Sequence, residues 1–281
     1  MKTRILITLL LLCHTTLNWA MNQVTELRTW QFSRDSLHWQ TVNIPHDWAI
    51  SGPFDKKWDL QRVAITQNGE KQATEKSGRS GALPWIGEGW YSHKLTIKKQ
   101  QRYSRAYLYF DGAMSEPIVY INGKEAGRWA YGYNTFRIDA TEYLKEGENT
   151  IIVHLNNREE SSRWYPGAGL FRPVKLVLMP RLHIDPWDVY IRTTRLDDNG
   201  ATLSIDAKIE GWDGKEKLIT IAYASKDGPS EQAVLILDPL TGIAHAEMNW
   251  KKGKYSVWTP EHPALIHFGI YTRNKGRLAL L

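Results

Sequence analysis

Ala106-Tyr107-Leu108-Tyr109-Phe110, closed by Asp111-Gly112, sets the reading of the chain. Ala106, Leu108 and Phe110 fall on one side of an extended backbone and the two tyrosines on the other, a period of two rather than 3.6. The same pattern recurs outward from this stretch. Residues 117–121 form a second short apolar run, ended by Asn122-Gly123. That dipeptide suits a type I′ hairpin, whose two central residues both need positive φ. Ile151, Ile152, Val153 and Leu155 mark another buried strand, and Val174, Leu176 and Leu178 point one way with Lys175 and Val177 between them. Lys145-Glu146-Gly147 and Gly167-Ala168-Gly169 are turn signals. Many short strands with Gly, Asn and Asp punctuation and no long helix predict an all-β chain, with a jelly-roll β-sandwich over residues 22–181.

A second unit is expected over residues 183–265. Trp187-Asp188-Val189-Tyr190-Ile191 opens it, and Ala201, Leu203, Ile205, Ala207 and Ile209 alternate with polar residues. Residues 218–224 and 233–237 follow as strands. The pattern is that of an immunoglobulin-like β-sandwich without a disulfide, and the span is short for a complete seven-stranded one. The chain has a single cysteine, Cys13, so a disulfide within the chain and a multi-cysteine metal site are both excluded.

The N-terminus carries Lys2 and Arg4 before an apolar run over residues 5–12. This reads as an export signal peptide over residues 1–20, too short to span a membrane as a helix. Cys13 after Leu10-Leu11-Leu12 raises the alternative of a lipid anchor, against which the bulk of Leu12 argues. No later segment is apolar for long enough to cross a membrane.

The 281 residues carry a net charge of +6. Lys2, Arg4, Arg273, Lys275 and Arg277 account for five of these charges and lie in the two termini, so the body is close to neutral. That excludes an electrostatic footprint for nucleic acid. The unusual figure is 13 Trp, beside 13 Tyr and 6 Phe. Such rings serve as core packing in a sandwich, or as stacking faces for the C–H surfaces of sugars. A protease elbow, a His-Glu-x-x-His pair and a phosphate loop are all missing.

Five motifs then occur in order between residues 42 and 172: Val42-Asn43-Ile44-Pro45-His46-Asp47-Trp48; Gly87-Glu88-Gly89-Trp90-Tyr91; Tyr120-Ile121-Asn122-Gly123-Lys124; Gly132-Tyr133-Asn134-Thr135-Phe136 with Asp139; and Ser162-Arg163-Trp164-Tyr165-Pro166-Gly167-Ala168-Gly169-Leu170-Phe171-Arg172. On these the sequence resembles the N-terminal part of glycoside hydrolase family 2 enzymes of the β-galactosidase type. The resemblance covers residues 25 to about 265. It implies a sugar-binding jelly roll followed by an immunoglobulin-like domain, with carbohydrate as the partner and no cofactor or metal held by these domains.

Each motif also has a reading of its own. Pro45 fixes φ and Asp47 can accept backbone N–H bonds in a strand-ending turn locked by Trp48. Trp90 and Tyr91 face opposite sides of a strand, so one belongs to the core. Arg163, Trp164 and Tyr165 concentrate a five-donor guanidinium and two rings beside glycines, and are the candidate substrate-binding residues. In the family this loop reaches toward the barrel. Residues 71–85, with Ser77-Gly78-Arg79-Ser80-Gly81, are a candidate rim loop.

No catalytic residue is assigned. Retaining glycosidases need two carboxylates about 5–5.5 Å apart. In the family both are Glu on a C-terminal (β/α)₈ barrel, the acid in an Asn-Glu dipeptide. No such dipeptide occurs, and the 101 residues after Pro180 are too few for a barrel. Glu88, Glu116, Glu159 and Glu160 read as turn or solvated-face residues. Trp258-Thr259-Pro260-Glu261-His262-Pro263-Ala264-Leu265 follows the family, after which residues 266–281 depart into a basic, unpatterned stretch. An aberrant, poorly packed tail is expected there, from a frameshift or premature stop near residue 265. The functional expectation is a truncated, non-catalytic portion of an exported glycosidase. The alternative is a stand-alone carbohydrate-binding module.

Overall fold

The computed structural model describes residues 23–55, 60–63, 74–77, 86–99, 101, 103–158, 167–212, 218–223, 230–272 and 276–280. They form two compact units, 23–178 and 179–281. Among them there is no α-helix, only one 3₁₀ turn at Trp48–Ser51. No helix among the described residues is long and apolar enough to cross a membrane.

The first unit begins with β1 (Gln23–Glu26), β2 (Thr29–Ser33) and β3 (Gln40–Asn43). A separate hairpin, β4 (Leu60–Val63) and β5 (Thr74–Ser77), follows. Then come β6 (Gly87–Ile97), β7 (Arg105–Phe110), β8 (Ile118–Ile121), β9 (Lys124–Arg128), β10 (Phe136–Asp139), β11 (Gly147–Asn157) and β12 (Val174–Met179). They make a four-stranded sheet, β1-β12-β7-β10, and a six-stranded sheet, β3-β2-β6-β11-β8-β9. This is the expected two-sheet jelly roll. The apolar halves of the alternating strands meet between the sheets, with Leu108, Phe110, Tyr91, Val153 and Leu176 all buried in one core. β6 and β11 pair without a break from Gly87↔Asn157 to Ile97↔Gly147. That register puts Tyr91 inside, while Trp90 lies outside and stacks on His154 at 4.8 Å.

The Asn122-Gly123 turn joins β8 to β9 with φ of 52° and 81°, as its sequence predicts. Its side chain also closes a buried polar network. Asn122 Nδ2 donates to Tyr143 O and to Asn149 Oδ1, and Asn122 Oδ1 accepts the Thr150 N–H. Asn149 in turn donates to Lys145 O and Gly147 O, so a buried carboxamide is fully satisfied.

The second unit holds β13 (His183–Asp197), β14 (Gly200–Glu210), β15 (Leu218–Tyr223), β16 (Ser230–Val234), β17 (Ile236–Leu237), β18 (Ile243–Lys251), β19 (His267–Thr272) and β20 (Gly276–Leu280). Two four-stranded sheets result, β13-β14-β18-β17 and β16-β15-β19-β20. Ala201, Leu203, Ile205, Ala207 and Ile209 are buried as a set, facing Ala244, Ala246, Met248 and Trp250 of β18 in one cluster.

Within residues 266–281, where a poorly packed tail is expected, residues 267–272 form a paired strand instead, and the correction is confined to that segment. β19 pairs with β15 from Leu218↔Thr272 to Tyr223↔His267, and β20 pairs with β19. The reason is the i, i+2 spacing of Phe268 and Ile270, which places both side chains in the core.

Candidate functional site

Four of the five motifs converge on one end of the jelly roll. The chain there runs through residues 44–55, 111–117, 129–135 and 167–172, knitted by main-chain bonds. His46 N donates to Leu170 O at 2.8 Å, and Met114 and Gly169 exchange bonds of 3.0 and 2.8 Å. Ala113 N donates to Gly132 O, Asp111 N to Pro173 O, Asn156 N to Ser115 O and Trp129 N to Pro117 O. The Arg172 guanidinium spans Asp111 O and Tyr133 O.

The buried Tyr91 ring is the post around which this end is built. Its hydroxyl lies 2.7 Å from His46 Nδ1 and accepts the Leu170 N–H. Burial lowers the His46 pKa and so favours the neutral imidazole, and the Tyr91 hydroxyl also donates to His46 O at 3.4 Å. Burial likewise pushes the Tyr91 phenol far up. Asp47 caps the 3₁₀ turn by accepting the Ala49 N–H at 2.9 Å. Trp48, fully buried, stacks on Phe32 at 5.5 Å. The turn reading of Pro45-His46-Asp47-Trp48 is therefore the observed one.

The glycines explain the close approach. Gly169 has φ of +94°, and a Cβ there would overlap Tyr91 Oη and His46 O. A Cβ on Gly89 would lie 2.5 Å from the Trp48 ring. Only glycine lets the 167–170 backbone lie against His46 and Tyr91.

Arg163, Trp164 and Tyr165 lie outside the described residues, as do Glu159, Glu160 and the 78–85 part of the candidate rim loop. The structure places both ends of their loop. The chain leaves β11 at Asn157-Arg158 and returns at Gly167, beside Asp47 and Phe171, two residues before Gly169 meets the Tyr91 post. Glu88 and Glu116, also set aside as catalytic groups, each lie near a basic side chain. Glu88 lies 3.4 Å from His154, and Glu116 lies 2.6 Å from Arg158.

Beside the loop ends is a groove of about 620 Å³ that sequence reasoning did not single out. Its walls are Glu116, Arg128, Trp129, Tyr131, Asn156 and Arg158. Trp129 is 40% exposed and Tyr131 55%. Trp129 is the outermost ring of a parallel stack. Phe110 and Phe136, cross-strand partners on β7 and β10, stack at 4.7 Å and 1°, and Trp129 lies on Phe136 at 5.6 Å and 6°. The signal available in the sequence was Trp129-Ala130-Tyr131-Gly132-Tyr133, three aromatic residues in a Gly-containing loop.

A jelly roll whose loop end gathers rings, guanidinium groups and close-packed glycines has the architecture of a carbohydrate-recognition sandwich. Residues 23–180 match the sugar binding domain of glycosyl hydrolases family 2, and the chain belongs to that family. A β-galactosidase of Bacteroides ovatus is 30% identical over 196 residues, which cover 69% of this chain and 21% of the relative. A β-glucuronidase of Bacteroides fragilis is 28% identical over 231 residues, covering 76% of this chain and 31% of the relative. A crystal structure of a glycosyl hydrolase family 2 member from Bacteroides cellulosilyticus superposes with a TM-score of 0.70 at 20% identity, over 92% of this chain and 34% of that one. The matched part of the chain thus corresponds to about a fifth and just under a third of the length of these two curated relatives.

Proposed function

We propose that this chain is the sugar-recognition portion of an exported family 2 glycosidase of the β-galactosidase type, and that it does not hydrolyse glycosides by itself. One observation carries the reading. The motif segments converge where Tyr91 and His46 pin residues 167–170, the base of the loop bearing Arg163, Trp164 and Tyr165. A loop fixed at its base can offer a guanidinium fork and two ring faces to a terminal sugar without ordering the whole segment on binding. Export is supported by Lys2 and Arg4 before the apolar run over residues 5–12.

Hydrolysis needs an acid to protonate the leaving oxygen and a carboxylate opposite the developing oxocarbenium ion. Of the two carboxylates weighed above, Glu116 is ion-paired with Arg158 and Glu88 lies 3.4 Å from the His154 imidazole. In this reading the paired carboxylates belong to a barrel that the 281 residues do not contain. One wall of a pocket gives weak affinity, with Kd on the order of millimolar.

The purified chain is assayed with nitrophenyl β-galactoside and β-glucuronide, then titrated with galactose and lactose while tryptophan fluorescence is followed. No turnover, with millimolar binding lost in Trp164→Ala, is the expected result. Turnover abolished by Glu88→Gln or Glu116→Gln refutes the reading. Micromolar binding without turnover replaces it with that of a stand-alone carbohydrate-binding module.

A further inference from the structure

We infer that the groove beside Trp129 is a binding site for a neutral glycan chain, separate from Arg163, Trp164 and Tyr165, with the outer face of Trp129 as its stacking platform. The inference uses no residue of the 159–166 loop, so it stands or falls apart from the proposed function.

Three features argue for a pyranose ring. The first is the stack. Phe136 covers one face of Trp129 at 5.6 Å and 6°, and Phe136 is itself fixed on Phe110. The indole is therefore held in one plane by two buried rings before any ligand arrives, and its exposed part lines the groove. A flat apolar face with a fixed orientation suits the C–H face of a pyranose, and little rotamer entropy is lost on binding.

The second is charge. The groove contains cations, yet each is balanced. Arg158 pairs with Glu116 at 2.6 Å, and Arg128 pairs with Glu125 through three bonds of 2.7–2.9 Å. A site for phosphate, sulfate or uronate would present guanidinium groups not already committed to carboxylates. Balanced pairs instead offer N–H donors and carboxylate acceptors side by side, as hydroxyl-rich neutral sugars require.

The third is the polar inventory at the edge. The Asn156 carboxamide and the Tyr131 hydroxyl both line the groove, and neither bonds to a described residue. A carboxamide donates and accepts in one plane, matching a pair of adjacent sugar hydroxyls. The volume of about 620 Å³ accommodates a ligand of more than one ring. The fold makes the site by strand order. β11 lies next to β8, and β8 next to β9, so residues 116, 129 and 156, distant in sequence, line one groove.

The test uses the full chain with two neutral probes, cellohexaose and β-1,4-galactohexaose, and one charged probe, an oligogalacturonate, read by calorimetry and by indole NMR. At least one neutral probe is expected to bind. Trp129→Ala weakens it at least about tenfold, Trp129→Phe by less, and Trp258→Ala, at an exposed ring of the second unit, leaves it unchanged. If Trp129→Ala fails to fold by near-ultraviolet circular dichroism, Trp129→Phe and Asn156→Ala carry the test, each expected to weaken binding. No binding of either neutral probe overturns the inference. So does affinity unchanged in Trp129→Ala, or in both substitute variants where that protein does not fold. Preference for the oligogalacturonate with loss in high salt overturns it too. Loss in Trp164→Ala but not Trp129→Ala moves the glycan to the neighbouring loop, which overturns this inference while sparing the proposed function.

Discussion

Replacing Gly169 by alanine separates the two reasons a glycine stands at the base of the candidate loop. Gly169 and Gly123 both have positive φ, +94° and +81°. They differ in surroundings. A Cβ on Gly123 meets nothing within 4 Å, whereas one on Gly169 overlaps Tyr91 Oη and His46 O. Gly123→Ala therefore reports the backbone cost alone, about 1–2 kcal/mol. Gly169→Ala carries that cost and also forces Tyr91 or the 46–48 turn to move. The Tyr91–His46 bond of 2.7 Å is then strained or lost, with both groups still shielded from water. An orphaned buried hydrogen-bonding group costs about 1–3 kcal/mol, which brings the total to about 2–5 kcal/mol. For a domain of this size each kcal/mol lowers Tm by about 2–4 °C. The expected falls are thus about 2–8 °C for Gly123→Ala and, with the added cost, about 4–20 °C for Gly169→Ala, followed by tryptophan fluorescence on heating. Tyr91→Phe in the Gly169→Ala background checks the cause, because removing the hydroxyl relieves the overlap and makes the second substitution less costly than in the wild type. Equal shifts for the two alanine variants would refute the claim that the loop base is held by contact with Tyr91.

Protonation of the histidines gives a second check, by NMR titration of the imidazole C–H signals. His46 and His93 are both lowered from the ordinary value of about 6.5 by burial. Their contribution to stability is complete above that unfolded value and is lost as pH falls through their lower folded values. His38 moves the other way, raised by the Asp35 carboxylate 2.6 Å from its Nδ1. Its contribution is present below about 6.5 and is lost as pH rises through the raised folded value. His38 titrating below His46 would contradict this assignment. A third check concerns the C-terminal strand. Ile270→Ala, at a fully buried position, is expected to destabilise the second unit by about 2–5 kcal/mol in a denaturant titration. A change below about 0.5 kcal/mol would show that β19 does not pack as described.

The first unit was legible because its strands obey a simple rule. Ala106, Leu108 and Phe110 alternate in sequence and are all fully buried in the structure. Asn122-Gly123 announced its turn by chemistry alone. β18 carried an equally clear signal, with Ala244, Ala246, Met248 and Trp250 alternating with exposed residues, yet it was not singled out. The alanines weaken the hydrophobic contrast on which periodicity depends. β19 was passed over because basic residues follow it and Gly269 interrupts its apolar face, although Phe268 and Ile270 keep the spacing of a strand.

The candidate loop and the groove were unequally legible, and the difference has a physical cause. Arg163, Trp164 and Tyr165 are contiguous, so their chemistry can be read from the chain without knowing the fold. The groove is assembled from a turn before β8, a loop after β9 and the end of β11. Nothing in residues 116, 129 and 156 links them until β11 is seen to lie beside β8 rather than beside β10, its predecessor in sequence. The preorganisation of Trp129 is equally hidden, since it depends on Phe136 being paired with Phe110 across β10 and β7 of the opposite sheet. One ring stack therefore begins between the sheets, in the core that fixes the fold, and ends on the surface as a candidate recognition face. Core packing and sugar stacking, two competing readings of this chain's aromatic residues, meet in the same column of rings. A perturbation at Phe136 would consequently alter both stability and binding. Trp129→Ala also uncovers the face of Phe136, whereas Trp129→Phe keeps a ring on that face and acts mainly on binding.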